Sequence, residues 1–475
     1  MRNPKGYCGV QMSEDYFSFT GKQFNPAEVA RKPEALQGIR VLDLSHMIFG
    51  PTAARLLGQY GAEVIKVEVP YLGDYWRGST YWGKYWKHGN PLWHFINHSK
   101  YFVAIDVKKS KGKELILKLA GMSDVVIENF TSGTVEAWGI GYSQVSKLNP
   151  KIIYASLSTY GQFGPMRFLP GWDLLAQGIS GVLSLTGHPE TDKYFKIPDF
   201  FGDFFPGYFA SMMILMALHY RERTGYGQYL DICQAEILMR TLFHFTHFTM
   251  TGEELGRTGN LDPTMAPSGI YKTKDGKFVA LAIATDKHFQ ALCQAMKRAD
   301  LGKDRQLAKT LERLKPENVR KLNELVKSWV HLHSASEMVA LGRKYSFAVA
   351  EVMDDVQISQ DPWRKERGSV VSYDDEMYKE MVLEGPLAMM DKTPGRIKWL
   401  TRPLGYHNRY LLKKLMGLSE GEIRQLEKER VVGYWDYRVG QRPPVYYDIH
   451  KDPVFNYAPS PVEGKGGGNE EGEDH

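Results

Sequence analysis

Residues 38–68 restrict the fold more than any other stretch of the chain. Gly38-Ile-Arg-Val-Leu-Asp-Leu-Ser45 has the apolar run of a strand. The turn His46-Met-Ile-Phe-Gly-Pro51 leads into Thr52–Tyr60, a helix with Pro51 at its start and Gly61 at its end. Ala62–Glu68 is a second strand. A helix between two strands within about thirty residues is the crossover that parallel neighbours need. Further strand patterns follow at Phe102–Val107, Asp124–Asn129, Lys151–Leu157 and Tyr229–Cys233, and a helix pattern at Gly112–Ala120. The expected class is α/β with a parallel sheet. Ligands of such sheets sit beyond the carboxyl ends of the strands, where His46 to Phe49 lie.

A dinucleotide is the first ligand to consider there. Glu68 ends the second strand and would suit a ribose diol. The first turn, however, has one glycine, Gly50, where the nicotinamide fingerprint needs three. Neither a nicotinamide nor a flavin cofactor is expected.

At 475 residues the chain is too long for one core, so two or three domains are expected. A net charge of +5 is small for this length; it points to neither nucleic acid nor a membrane surface, and it suits an anionic small ligand. Cys8, Cys233 and Cys293 are odd in number and far apart, which argues against a disulfide framework or a zinc site and for a cytoplasmic location. Residues 1–7 lack the apolar core of a secretion signal. The longest apolar run, Tyr208–Leu218, is too short to span a bilayer. After residue 255 the composition shifts to a smaller α+β unit, with one basic helical stretch over Lys303–Val330. Ser419 and Glu422 form a capping-box pattern at the head of a late helix.

The stretch Phe195–Leu215 carries two acids, Asp199 and Asp203, among phenylalanines. Pro206 and Gly207 then lead into the apolar run, so a buried helix is expected after Pro206. Asp203 would stand just ahead of it. Two readings of Asp203 remain open on position alone: an N-cap, or a catalytic carboxylate in an apolar pocket beside backbone N–H groups. His244 and His247 share a face of the expected helix Ala235–Met250, but nothing is spaced to complete a metal site with them. The glycine-bearing loop Ser158–Pro165, continuing to Asp173, has the character of a functional loop.

Several motifs align in order with one family. They are Leu36–His46, Gly50-Pro51, Gly61–Glu68, Gly73-Asp-Tyr-Trp-Arg-Gly78, Ile105–Lys108, Asp124–Phe130, Gly202-Asp203 with Gly207, Thr224–Gln228 and Arg402–His407. Over about 37–433 the chain resembles the class III CoA-transferases, the formyl-CoA and carnitine CoA-transferase family. The resemblance implies a doubly wound, Rossmann-like parallel sheet in a large CoA-binding domain (37–235), followed by a smaller α+β domain (236–350). A C-terminal segment (351–435) would return to the large domain. Residues 1–36 would be an extension, and 436–475 a partly disordered tail. Two chains would form an interlocked dimer.

The resemblance assigns Asp203, the acid of the Gly-Asp-x-x-x-Gly element, as nucleophile. It implies acyl–aspartyl anhydride and aspartyl-CoA thioester intermediates, with no metal and no cofactor beyond CoA as substrate. His46, Met47, Phe49, Ile105, Lys108, Asn129 and Phe130 match CoA-site positions. Two family arginines for CoA phosphates fall on Val69 and Ala137, which leaves Arg77 or Lys109 as substitutes. Trp172, Phe204, Phe205 and Gly207 are the expected substrate-pocket residues. Backbone N–H groups near Gly207 or in the Gly161–Gly164 loop are the expected oxyanion donors. The absence of a glycine-rich flap from 255–270 argues against formyl and oxalate substrates.

The related α-methylacyl-CoA racemases need a histidine where this chain has Trp172, so transfer is favoured over racemisation. A silent structural partner in a two-subunit enzyme would lack the nucleophile, which this chain keeps. Trp76, Trp82, Trp86, Trp172, Phe200, Phe204 and Phe205 suggest a bulky or aromatic carboxylic acid as acceptor, with succinyl-CoA or a similar thioester as donor. The expected partners are these substrates and either a second copy of the chain or a homologous subunit.

Overall fold

A computed structural model describes residue 24 and residues 26–435. Cys8, most of the expected extension and the tail 436–475 lie outside the described residues. The described chain forms two compact units, one of residues within 24–180, 198–241 and 365–435, the other of residues 181–197 and 242–364.

The larger unit is built on six strands: β1 (Arg40–Asp43), β2 (Glu63–Glu68), β3 (Lys100–Ala104), β4 (Val125–Glu128), β5 (Ile153–Ser158) and β6 (Gln228–Cys233). All pair in parallel, in the order β3-β2-β1-β4-β5-β6. Successive side chains on a strand face opposite ways, and here each face has its own core. Val41, Val64, Val125, Ile127 and Ile153 pack with Ala53 and Leu57 of α1 (Phe49–Gln59). Their neighbours Leu42, Ile65, Val126 and Tyr154 pack on the other side with Leu115, Ile116 and Leu119 of the helix Ser110–Gly121. That two-sided burial explains why the strands read as apolar runs rather than alternating patterns. The sheet is doubly wound, and its order reverses between β1 and β4. Residues 407–432 lie against the edge strand: the His407 N–H donates to the Phe102 carbonyl at 3.0 Å, and Leu411, Leu412, Ile423 and Leu426 join the second core.

Two further helices position the site, α2 (Asp173–Ile179) and α3 (Phe201–Thr224). α3 begins at Phe201, not after Pro206 as the sequence suggests. Asp199 and Phe200, at φ 53° and 57°, are both left-handed and turn the chain into the helix. The Gly202 N–H is then capped by Asp173 Oδ1 at 2.6 Å. The cap comes from 29 residues upstream, so no local pattern announces it. Ala210, Ile214, Ala217 and Leu218 seat α3 on the sheet, and burying an Ile or Leu there contributes about 1.5–3 kcal/mol each. Gly207 permits the crossing with α1, since a Cβ there would meet Thr52 Cβ at 2.9 Å and the Phe49 carbonyl at 3.0 Å. By length and composition alone α3 could cross a bilayer, unlike the shorter run read from sequence; the sheet core accounts for its apolar face.

The smaller unit carries an antiparallel sheet of β7 (Ser268–Lys272), β8 (Phe278–Ala282) and β9 (Ala348–Glu351). Phe289, Leu292, Leu322, Val326 and Val330 from two helices cover it. After a short helix Ala299–Lys303, the helical stretch expected over Lys303–Val330 holds Thr310–Arg313 and Pro316–Val330. Pro316 fixes the start of the last, because it lacks the N–H that a continuing helix would use. The expected helix Ala235–Met250 is likewise two, Gln234–Met239 and His244–Thr251, with the passage between the two units lying at Thr241–Leu242. The Ser419–Glu422 capping box forms as expected.

Candidate active site

Buried ion pairs fix the turn after β1. Lys100 Nζ donates to Asp43 at 2.9 Å and to the Pro51 carbonyl and Asn97 Oδ1, each at 2.9 Å. Burial acts to raise the Asp43 pKa, but Lys100 and Lys66 outweigh it and hold it below the usual value. Lys66 pairs with Asp74 at 3.0 Å, and Asp74 Oδ1 accepts from the Met47 N–H at 3.2 Å. That bond helps hold Met47 at φ 64°, a conformation rare for a residue with a Cβ. Across the switch point, Asn129 joins the turn after β4 to the turn after β1. Its Oδ1 accepts from the His46 N–H and its Nδ2 donates to the His46 carbonyl, both at 2.8 Å. Phe130 lies 4.7 Å from the His46 ring, and burial lowers the His46 pKa from its ordinary value.

These turns line a cavity of about 360 Å³ with the loop after β5 and the head of α3. Asp203 is half-buried among its lining residues, in the first turn of α3. It is not an N-cap: Oδ1 accepts from Gln234 Nε2 at 2.5 Å. Gln234 is placed by Pro206. A helix would bond the residue 206 N–H to the Gly202 carbonyl, and proline has no N–H to give. Gln234 Nε2 donates to that carbonyl at 3.1 Å as well, while its Oε1 accepts from Thr159 Oγ1 at 2.7 Å. Burial, reinforced by the charge of Asp173, pushes the Asp203 carboxyl up to about 7, with the Gln234 bond acting the other way.

An acid raised in this way costs the folded state nothing while protonated. The penalty accumulates from about pH 4, near the unfolded pKa, and is complete above about pH 7. Asp203→Asn is therefore expected to stabilise the protein by about 1–2 kcal/mol at about pH 8, after allowance for screening by cavity water. The gain should vanish by about pH 4, as read by denaturant unfolding at the two pH values.

Of the residues expected from sequence, Asp203, His46, Met47, Phe49, Asn129, Phe130 and Trp172 line this one cavity. Ile105, Lys108, Phe204, Phe205 and Gly207 do not. Ile105 is buried and bridges to Val432, and Lys108 is exposed. Phe204 packs on Phe95, Phe205 stacks on Phe201 and lies tilted against Phe209, and Gly207 packs on α1. Among the seven aromatics that suggested a bulky acid, Trp172 alone lines the cavity. Trp76 and Phe200 pack together, and Trp86 lies on Tyr378.

The two proposed phosphate substitutes are already engaged. Arg77 is fully buried in a two-point pair with Glu68, at 2.9 and 2.7 Å, which also removes Glu68 as a ribose ligand. Lys109 Nζ donates to the Glu429 and Arg430 carbonyls, the latter at 3.1 Å. Ser158, Thr159 and Arg167, from the loop that the sequence marked as functional without naming these residues, also line the cavity, and sequence reasoning missed Gln234 altogether. The signal for Gln234 was the carbonyl that Pro206 leaves open. Ser158 lines the cavity, and its Oγ is buried with no protein partner.

A doubly wound sheet thus carries, beside its switch point, a cavity lined by a carboxylic acid whose pKa is raised by burial. The profile of CoA-transferase family III matches residues 36–408, and the chain belongs to that family. It is 32% identical to the succinyl-CoA–D-citramalate CoA-transferase of Chloroflexus aurantiacus over 406 residues, 85% of this chain and 99% of that one. It is 31% identical to the alpha subunit of the succinyl-CoA–L-malate CoA-transferase from the same organism, over 84% of this chain and 92% of the other. Among solved structures, a CaiB/BaiF family protein of Brucella suis superposes with a TM-score of 0.71 at 27% identity, covering 81% of this chain and all of that one.

Proposed function

We propose that the chain transfers CoA from a succinyl-type acyl-CoA to a carboxylic acid, with Asp203 as covalent nucleophile. The observation that carries this reading is the Asp203 carboxylate itself, held by Gln234 in the lining of the switch-point cavity. Its ionised oxygen attacks the donor thioester carbonyl. The C–S bond breaks, giving an acyl–aspartyl anhydride and CoA thiolate. The thiolate attacks the aspartyl carbonyl and expels the donor acid, leaving an aspartyl-CoA thioester. The acceptor carboxylate attacks that thioester, and the thiolate released then takes the acceptor acyl group, restoring Asp203. No electron is gained or lost, so CoA suffices as the only carrier. Splitting one exchange into such steps is the benefit of covalent catalysis. Gln234 Nε2 and Ser158 Oγ are the side-chain donors suited to the oxyanions.

Relatives that use succinyl-CoA with citramalate and malate support a short acid as acceptor. The aromatic acid suggested by sequence keeps only Trp172 in its favour, because the other six aromatics do not line the cavity. Racemisation is disfavoured by Trp172, an indole where a second base is needed. Leu174, Leu175 and Ile179 of α2, with Met212, Leu215 and Met216 of α3, are exposed. Apolar faces of this kind support an interlocked dimer or a pairing with a homologous subunit.

The test is exchange by the purified chain alone, with succinyl-CoA and a panel of citramalate, malate, glutarate and benzylsuccinate. Hydroxylamine should trap an adduct at Asp203. Exchange without that adduct would refute the covalent route, and preference for the aromatic acid would restore the bulky pocket. Because the nucleophile must be ionised, kcat/KM is expected to rise with pH and level off above about 7. A profile flat from about pH 5 to 8 would contradict the assignment.

A further inference from the structure

The loop from Thr159 to Gly171 brings one cation to the cavity. Arg167 lines it, and no other Lys or Arg does so among the described residues. The loop is tied down at two points before it reaches Arg167. The Gln162 N–H donates to both oxygens of Asp231 on β6, at 3.1 and 2.9 Å. The Gln162 carbonyl accepts from Ser132 Oγ, beyond β4, at 3.0 Å. At its far end Gly171 lies against Thr159, where a Cβ would meet Oγ1 at 2.1 Å. Arg167 is thus carried on a braced loop.

Its own contacts leave most of the guanidinium unused. Nη1 donates to the Gly164 carbonyl at 2.8 Å, and Cζ lies 4.2 Å from the centre of the Phe168 ring. The fork has five N–H donors in a plane suited to a carboxylate. Arg167 does not act as the counter-charge of Asp203, whose acidity is governed by burial, Asp173 and Gln234. One cavity therefore presents a nucleophilic carboxylate and a separate cation. Asp203 lines this cavity, so a donor whose thioester carbonyl meets it must bring its acyl group into the cavity.

We propose that Arg167 is a specificity-determining residue that holds the distal carboxylate of a dicarboxylic acyl group while its thioester carbonyl meets Asp203. The proposal rests on the transfer reading above. The same arginine chemistry would also suit a CoA phosphate, and the choice of donors separates the two. Succinyl-CoA and butyryl-CoA share the CoA portion and a four-carbon chain but differ in the distal charge.

The experiment measures kcat/KM for the formation of the hydroxylamine-trapped adduct from each donor, with the wild type, Arg167→Met and Arg167→Lys. The wild type should prefer succinyl-CoA. Arg167→Met should lose about 100-fold with succinyl-CoA and less than about threefold with butyryl-CoA, with Arg167→Lys between wild type and Met on succinyl-CoA alone. Equal losses with both donors would overturn the proposal in favour of a phosphate or structural role, and unchanged rates would overturn it outright. A wild type that forms no adduct with either donor would refute the transfer reading and this inference with it. Adduct formation by the wild type with equal losses in the variants would refute only the role given to Arg167.

Discussion

Asp203→Ala should abolish CoA transfer while leaving the protein folded. The carboxylate is the only group in the proposed cycle that becomes covalently attached to the acyl group and to CoA, so nothing else takes its place when it is lost. A fall of at least about 10³-fold in kcat/KM is expected, because the whole covalent route is closed. The fold should survive for a specific reason. α3 is capped by Asp173 through the Gly202 N–H and seated by Ile214 and Leu218, and neither depends on the Asp203 side chain. Gln234 loses one acceptor but keeps the Gly202 carbonyl at 3.1 Å and Thr159 at 2.7 Å. The check is a CoA-exchange assay beside a thermal melt of the same sample. Turnover above about 1% of wild type, in a variant that melts normally, would remove Asp203 from the chemistry.

The largest effect on stability is expected at Arg77, far from any reacting atom. Its guanidinium is sealed between Glu68, the Arg402 carbonyl at 3.2 Å and the face of Trp93 at 4.3 Å, with no part exposed. Arg77→Met keeps much of the bulk and removes the charge. Glu68 would then remain buried with a single N–H donor, that of Asp74 at 3.0 Å. Breaking one side of such a pair costs about 3–5 kcal/mol, most of it from the abandoned charge. Denaturant unfolding should show this loss, and Glu68→Gln combined with Arg77→Met should recover part of it. The damage should also reach the cavity. Glu68 holds the Asp74 N–H, and Asp74 holds Met47. KM for the thioester is expected to rise even where the variant still folds. A double variant no more stable than Arg77→Met would show that the abandoned charge is not the cause.

The sequence by itself determined the sheet and its polarity. The unit from Gly38 to Glu68 requires a parallel pair, and the strands Val125–Glu128 and Ile153–Ser158 follow from local apolar runs bounded by turn residues. Strand ends pointed to the turn His46 to Phe49, whereas Asp203, Asn129 and Phe130 were singled out only through the resemblance to the family. Tertiary structure decided what depends on partners distant along the chain. The head of α3 was misplaced by the local proline rule, since its cap, Asp173, belongs to another helix. Gln234 became a site residue because a proline on one element leaves open a carbonyl that only another element can reach. The resemblance left Arg77 or Lys109 as substitutes for the missing phosphate arginines, and only the fold shows the charge of Arg77 already spent on Glu68. Phe204 and Phe205 look identical in sequence to pocket residues, yet helical geometry turns them onto Phe95 and Phe209. Patterns along the chain record the backbone's local preferences, whereas which side chains meet in a cavity depends on pairs that only packing brings together.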